Sequence, residues 1–175
     1  MKGGQAKRNI IIILILILVV VSADLYLRFK KEVNPEYNLL KVQDDPMSLT
    51  GFIEVDISTA DNAMVLTNKC KSLVMSTNDV QTYSIQQGLD NKIDTRPLTH
   101  DIVKGILNNY DIKVLMVKVT ELDKGLYRGN LFLKQGNQLL NLETRPSDSI
   151  ALAVRESAPI YVQKDILDKY GQYSC

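Results

Sequence analysis

Two Arg-Pro dipeptides, each followed by an acidic residue and an apolar run, constrain the fold of this chain most strongly. The first opens RPLTHD at residues 96–101, and the second opens RPSDSI at residues 145–150. Proline has the backbone angle φ that suits a first helical position, and a polar side chain just after it can accept from backbone N–H groups that lack a partner. The sequence therefore predicts that a helix begins at each dipeptide.

The same two turns are candidate anion sites. The start of a helix gathers free backbone donors and a partial positive charge, and each turn adds an arginine, Arg96 or Arg145. Ser147 follows the second arginine and is a further candidate phosphate ligand. The only histidine of the chain, His100, lies in the first turn.

The N-terminal part contains a long apolar segment. Residues 10–21 are apolar without interruption, and apolar residues resume at 25–27. Eighteen residues in a helix span roughly 27 Å, close to the hydrocarbon thickness of a bilayer. We therefore expect a single transmembrane helix at residues 10–27, after a basic tail at residues 1–9.

A signal peptide is the alternative interpretation of this segment. Lys2, Lys7 and Arg8 form a basic region before it, and residues 21–23 resemble a small-residue cleavage site. The return of apolar residues at Leu25 favours a retained anchor. Lys and Arg flank the segment on both sides, so orientation depends on the α-amino group, which favours the domain outside the cytoplasm.

Charge and cysteine content restrict the function. Removing residues 1–31 takes six of the 21 basic residues and one of the 20 acidic residues, which leaves 15 against 19, or about −4. Such a domain has no general attraction for a polyanion, so nucleic-acid binding would need a local patch. Cys70 and Cys175 predict neither a disulfide framework nor a zinc site, and a lone histidine excludes a metal site that needs two histidines from one chain.

Hydrophobic patterning predicts an α+β fold with a mixed β-sheet and about four helices. We expect a polar linker at residues 28–50, one compact domain at residues 51–170 and a short tail at residues 171–175. Strands are expected at residues 51–58, 63–67, 71–76, 111–122, 126–134, 138–143 and 159–162. Helices are expected from residues 77–79 to 89, after each Arg-Pro dipeptide, and at residues 164–170.

Two features of this pattern bear on the interior of the domain. The apolar residues of the helix after the first dipeptide recur at helical spacing and predict a core-facing stripe, as do those at residues 150–154. The order β-β-β-α occurs twice, which suggests an old duplication. In that alignment Asp148 lies opposite Gln81.

The motifs around the two dipeptides resemble the bifunctional nuclease domain family. The resemblance covers roughly residues 52–170, and it is carried by RPLTHDIVKGIL and by NLETRPSDSIALAVRESAPIYV, which follow in order. It implies a compact α+β domain, an oligomer, and nuclease activity on DNA or RNA. The family usually carries a glutamate early in its first long helix, and the aligned residue here is Gln81. The N-terminal anchor is an addition to the family domain.

Hydrolysis of a phosphodiester needs an activated water, stabilisation of phosphoryl charge and a proton for the leaving oxygen. His100 is the candidate acid or base, with Asp101 and Asp148 as further candidate catalytic groups. Asp101, Asp148 and Glu143 are candidate oxygen ligands for Mg²⁺ or Mn²⁺.

Each candidate also has a structural interpretation. Thr99, Ser147 and Asp148 can cap helices, and His100 can be a hydrogen-bonded structural residue. The two arginines can tie loops by pairing with nearby aspartates.

Two hypotheses follow from these alternatives. One is a metal-assisted nuclease with His100, Asp101, Asp148 and both arginines in one cleft. The other is a membrane-tethered binding or scaffold module of the same fold without catalytic activity.

Overall fold

A computed structural model describes residues 16–24, 26, 45–121 and 126–175. The chain forms two compact units, Met1–Ser48 and Leu49–Cys175. Residues 16–24 of the first unit belong to a helix, α1. No helix within the described residues is both long enough and apolar enough to cross a membrane. Eight of the eighteen residues of the predicted span 10–27 and most of the predicted linker 28–50 lie outside the described residues, so the membrane anchor stays a prediction.

The second unit is an α+β domain with two β-sheets. Its strands are β1 (Phe52–Glu54), β2 (Asp56–Ala60), β3 (Ala63–Asn68), β4 (Lys71–Ser76), β5 (Lys113–Glu121), β6 (Tyr127–Gln135), β7 (Gln138–Thr144), β8 (Ile160–Gln163) and β9 (Gln172–Tyr173). The five-stranded sheet has the order β1-β8-β5-β6-β7, and the four-stranded sheet has the order β2-β3-β4-β9. Only β5 and β8 pair in parallel among these strands.

The five-stranded sheet is mixed, as predicted, but the second sheet was not predicted, and the error arose at the first strand. The predicted strand 51–58 is divided at Val55, so that β1 pairs with β8 while β2 pairs with β3. Val55 is buried, and its N–H donates to the carbonyl of Ile160 at 2.9 Å. The chain leaves one sheet and enters the other at this residue.

Four helices of this unit are α2 (Asp79–Leu89), α3 (Thr99–Asn109), α4 (Pro146–Glu156) and α5 (Lys164–Tyr170). Helix α2 begins as predicted, because the Asn78 side chain accepts from Gln81 N at 2.9 Å and Gln81 Oε1 accepts from Asn78 N at 3.2 Å. Helix α4 also begins as predicted, with Pro146 at its first position.

The start of α3 differs from the prediction in one respect. Thr99 is the first helical residue and not the cap, because Leu98 has the extended backbone of an N-cap. The Asp101 carboxylate accepts the Leu98 N–H at 2.8 Å and satisfies this end of the helix. At α4 the cap position is occupied by Arg145, and no side-chain cap hydrogen bond forms there, so the capping interpretation of Ser147 and Asp148 fails.

Helix α4 is the central helix of the domain. It packs against α2, α3, β5 and β6. Ile150, Ala151 and Ala153 on it are fully buried, as predicted for an apolar helix. The core cluster joins these residues to Leu66 of one sheet and Val117 of the other, so a single core supports both sheets.

The apolar stripe predicted for α3 is buried only in part. Leu107 is buried and Val103 packs against the core. Ile102, Ile106 and Tyr110 are 55%, 50% and 65% exposed, which corrects their assignment to the core. Among the other helices α3 makes its main contact with α4, so one side of it meets the core.

The C-terminal residues are held against the four-stranded sheet. Strand β9 pairs with β4, with Gln172 opposite Ser72. A disulfide joins Cys70, in the turn before β4, to Cys175 across 105 residues of sequence. The sequence predicted no disulfide framework, and this single disulfide was missed because a short strand absent from the prediction brings the chain end to Cys70.

Candidate functional site

The two Arg-Pro turns meet in the folded domain. Helices α3 and α4 pack against each other, and His100 Nε2 lies 3.8 Å from Asp148 Oδ1. Arg145 donates from Nε and Nη2 to the two Asp148 carboxylate oxygens at 2.7 and 3.2 Å. The Arg145 side chain remains 72% exposed. One histidine, one carboxylate and one accessible guanidinium group therefore share a small surface.

The His100 ring is held in place from its other side. Its Nδ1 lies 2.8 Å from Ser84 Oγ on α2, which fixes the ring plane and leaves Nε2 towards Asp148. Burial lowers the pKa of His100 below its ordinary value of 6.5, and the charge of Arg155 lowers it further. Asp148 and Asp101 act in the opposite direction but do not reverse the shift. The neutral form of His100 is therefore favoured.

Asp101 belongs to a buried ion pair below this surface. Arg155 Nε donates to Asp101 Oδ1 at 2.6 Å, and the two side chains are 3% and 7% exposed. Arg155 Nη1 also donates to the carbonyls of Ser84 and Ala151, at 2.9 and 2.8 Å. Burial alone raises the pKa of Asp101, but the hydrogen bonds from Arg155 and Leu98 outweigh it, so this pKa is lowered. The pair joins α2, α3 and α4 beneath His100.

Two clefts adjoin the exposed arginine. The histidine cleft has a volume of about 440 Å³ and contains Ser84, His100 and Asp148, with Val80 and Val103 among its apolar walls. The tyrosine cleft has a volume of about 450 Å³, and its lining residues include Met64, Val74, Met75, Ser76, Thr77 and Tyr127. Gln81 and Arg145 line both clefts. The clefts therefore meet at these two side chains.

Of the remaining predicted site residues, one lines a cleft and two lie outside both clefts. Ser147 is buried and lines the tyrosine cleft. Arg96 is exposed and lines neither cleft. Glu143 pairs with Arg128 at 3.0 Å on β7 and also lies outside both clefts. The structure thus brings together His100, Asp148, Arg145 and Ser147 at adjoining clefts, and it leaves Arg96 and Glu143 elsewhere.

The predicted metal ligands do not form a cluster. Within the described part of the chain, no group of three or more His, Cys, Asp or Glu side chains is placed to hold a metal ion. Asp101 is engaged by Arg155 and Leu98, and Glu143 is engaged by Arg128. Asp148 is the one predicted carboxylate ligand that lines a cleft.

Two residues that support the site were absent from the sequence-based set. Ser84 orients the histidine, and Arg155 links the three helices that surround it. Arg155 carried a usable signal, because it is a basic residue directly after the apolar run at residues 150–154. Ser84 carried no comparable signal, since its partner is 16 residues away on another helix.

One protein-family profile matches the part of the chain that contains both turns. The profile of the bifunctional nuclease domain matches residues 51–174, well over half of the chain. The chain belongs to the bifunctional nuclease domain family. The family resemblance expected from the motifs of the two Arg-Pro turns is thereby confirmed.

Individual relatives of this family member are similar over shorter regions. An uncharacterized protein of Mycobacterium tuberculosis is 31% identical over 86 residues, which cover 49% of this chain and 49% of that protein. Bifunctional nuclease 1 of Arabidopsis thaliana is 38% identical over 72 residues, or 39% of this chain and 22% of that protein. Bifunctional nuclease 1 of Oryza sativa subsp. indica is 33% identical over 79 residues, or 43% of this chain and 24% of that protein. The chain therefore spans half or less of the relatives that it matches.

Proposed function

We propose that this member of the bifunctional nuclease domain family hydrolyses phosphodiester bonds of DNA, RNA or both. The observation that carries the proposal is the meeting of His100, Asp148 and Arg145 where two clefts join. A neutral histidine suits a general base, and an exposed arginine suits a ligand for phosphate. The names of the plant relatives, which are called bifunctional nucleases, support the same chemistry.

In this proposal His100 takes a proton from the attacking water. We assign to His100 the tautomer in which Nδ1–H donates to Ser84 Oγ, 2.8 Å away, so that Nε2 has its free electron pair at the histidine cleft. The water oxygen bonds to phosphorus, its proton moves to Nε2, and the bond from phosphorus to the leaving oxygen breaks. The imidazolium then returns the proton to that oxygen. Asp148, 3.8 Å from Nε2, stabilises the imidazolium while it exists.

Arg145 binds the phosphate and stabilises the charge that develops on it. Only Nε and Nη2 donate to Asp148, and a guanidinium group has five N–H donors, so others remain for phosphoryl oxygens. The negative charge of the domain as a whole makes such a local contact necessary. Asp148 limits the rotation of Arg145 and so orients its remaining donors.

We further propose that Mg²⁺ or Mn²⁺ assists the reaction, with Asp148 as its protein ligand. Magnesium in phosphoryl-transfer sites is held by one or two carboxylates together with substrate phosphate and water, so one carboxylate at the cleft suffices. A bound ion would supply further charge stabilisation at the phosphoryl oxygens. Asp101 and Glu143 have no part in this version, because neither carboxylate lines either cleft.

A nuclease assay on the purified full chain tests the proposal. We expect cleavage of labelled oligonucleotides in Mg²⁺ or Mn²⁺, loss of cleavage in EDTA, and strong reduction in His100→Ala and Asp148→Asn. Tyr110→Ala, at an exposed residue outside both clefts, is the matched surface control. Activity that survives both substitutions and EDTA would indicate a contaminant or another site. An inactive wild type that still binds oligonucleotides would instead indicate the non-catalytic module.

Gln81 offers a second test of the same site. Its side chain lines both clefts, and its Oε1 accepts the Asn78 N–H in a capping box. Glutamate forms the same capping box, so Gln81→Glu adds a carboxylate with little effect on the fold. We expect higher metal-dependent activity in this variant if the missing carboxylate limits the enzyme. Unchanged activity would show that a carboxylate at this position does not assist the reaction.

We also propose that residues 10–27 anchor the domain to a membrane with the domain outside the cytoplasm. The apolar length of that segment supports the anchor, and the disulfide between Cys70 and Cys175 supports an oxidising compartment. Protease accessibility of a C-terminal tag on intact cells tests the orientation. A tag that is protected until the cells are opened would refute it. A homo-oligomer stays a prediction, for which light scattering of the purified chain is the test.

A further inference from the structure

We propose that the tyrosine cleft binds one unpaired nucleobase, so that the preferred substrate is a single-stranded nucleic acid. This inference rests on the proposed function, because it takes Arg145 as the group that holds the phosphate. It adds a base-binding site and a substrate class to the hydrolysis described above.

The floor of the tyrosine cleft suits a flat apolar ligand. Met64 and Met75 face each other across strands β3 and β4 and are almost fully buried. Val74 is 52% exposed at the rim, and the half-buried Tyr127 lies at the start of β6. Aromatic side chains stack on bases of any sequence, and thioethers make favourable contacts with aromatic rings.

The rim of the cleft can bind the polar edge of a base. Ser76, Thr77 and Gln81 line the rim. Thr77 Oγ1 lies 2.6 Å from Thr82 Oγ1, and Gln81 Oε1 accepts the Asn78 N–H, so the Ser76 hydroxyl and the Gln81 Nε2 amide are the groups that can bind the edge of a base. Such groups accommodate more than one base. Arg145 is the one charged side chain in the described lining of this cleft. The cleft therefore suits an uncharged group that is covalently attached to an anion.

Arg145 is placed to bind that anion. Arg145 borders both clefts, with the His100 and Asp148 pair on one side and Tyr127 on the other. A phosphodiester on Arg145 would direct its reacting atoms towards His100 and its attached nucleoside towards Tyr127. A volume of about 450 Å³ is ample for a base and its sugar, since small-ligand sites commonly measure roughly 300–1,000 Å³.

A base within a duplex cannot enter this cleft. Its faces are stacked on neighbouring bases and its pairing edge is occupied, and removing it from the stack costs free energy. This free-energy cost is much smaller for a single strand, because its bases are already accessible. The cleft therefore selects single strands over duplexes of the same sequence.

Binding measurements in EDTA, where cleavage is stopped, test this inference on the full chain. The probes are a fluorescein-labelled thymidine octamer, an abasic octamer with the same number of phosphates, and the octamer paired with its complement. We expect the thymidine octamer to bind about 5- to 150-fold more tightly than the abasic octamer, the usual contribution of one stacked base. We expect the duplex to bind as weakly as the abasic strand.

Variants in the cleft test whether Tyr127 and its neighbours cause this preference. Tyr127→Ala should remove most of the difference between the two octamers, and Tyr127→Phe should retain it. Val74→Asp tests the cleft without a change to the core, and its matched control is Leu140→Asp, a similarly exposed strand residue, 47% against 52%, that lines neither cleft. Both variants add one negative charge, so Val74→Asp should weaken binding of the thymidine octamer more than Leu140→Asp does.

The outcomes separate this inference from the proposed nuclease. The base site would be overturned if the thymidine octamer bound no more tightly than the abasic octamer or the duplex. It would also be overturned if Tyr127→Ala and Val74→Asp both kept the wild-type preference for the thymidine octamer. If cleavage depends on His100 while base preference is absent, only the base site is refuted. If base preference is present while no substrate is cleaved, only the nuclease proposal is refuted.

Discussion

Removing the charge of Asp101 distinguishes a structural from a catalytic carboxylate. In Asp101→Asn the side chain keeps its size, but the buried Arg155 loses its counter-charge at 2.6 Å. Removing one partner of a buried ion pair typically costs about 3–5 kcal/mol, because the other charge stays desolvated. A domain of this size has a total stability of about 5–15 kcal/mol, so the loss is a large fraction of it.

Urea denaturation followed by circular dichroism measures this loss. We expect the free energy of unfolding to fall by about 3–5 kcal/mol, while its dependence on urea concentration stays unchanged. The melting temperature should fall by roughly 10–20 °C. The double variant Asp101→Asn with Arg155→Met should recover part of the loss, since an apolar residue needs no counter-charge. Activity measured well below the melting temperature should change less than tenfold. A variant as stable as the wild type with abolished cleavage would refute the structural role of Asp101.

Three further predictions concern His100, the packing of two helices and the disulfide. His100→Gln should lower kcat about 10²–10⁴-fold. In the wild type, activity should fall as pH drops through the lowered pKa of His100, because the base is neutral only above it; a pH–rate profile with its acid midpoint at 7 or above contradicts this. Gly88→Ala should destabilise the domain by roughly 1–3 kcal/mol, because a Cβ there would lie 2.6 Å from Val154 Cγ2 on α4. Gly105→Ala meets no atom within 4 Å and should stabilise its helix by up to about 1 kcal/mol, so opposite signs in thermal melts are expected. Cys70→Ser should cost roughly 4–5 kcal/mol, the loop-closure contribution for a disulfide that spans about 100 residues. The same urea midpoint for the oxidised wild type and for Cys70→Ser would show that the link to Cys175 contributes nothing.

Local signals in the sequence were sufficient for most elements of the domain. Pro146 placed the start of α4 correctly because proline restricts its own backbone wherever it occurs. Asn78 and Gln81 fixed the start of α2 through hydrogen bonds between residues three apart. Thr99 was misassigned as a cap because Asp101, further along the same helix, satisfied the Leu98 N–H instead.

The sequence predicted which residues lie at the candidate site, but not which role each of them has. The sequence identified His100, Asp101, Asp148 and Arg145, since polar residues of these types at two helix starts are chemically suited to an anion. Asp101 and Asp148 look equivalent in sequence. Only the packing of α3 against α4 buried Asp101 with Arg155 and left Asp148 beside His100 at the cleft.

The sequence by itself determined which elements form and which residue types lie at the two helix starts, because backbone restriction, capping and periodicity act between residues that are near in the chain. The tertiary structure alone decided that β1 and β2 belong to different sheets, that Cys70 reaches Cys175, and that Gln81 and Arg145 border two clefts. These outcomes depend on contacts between segments tens of residues apart. Such contacts are selected by the burial of one shared core, which no local pattern specifies.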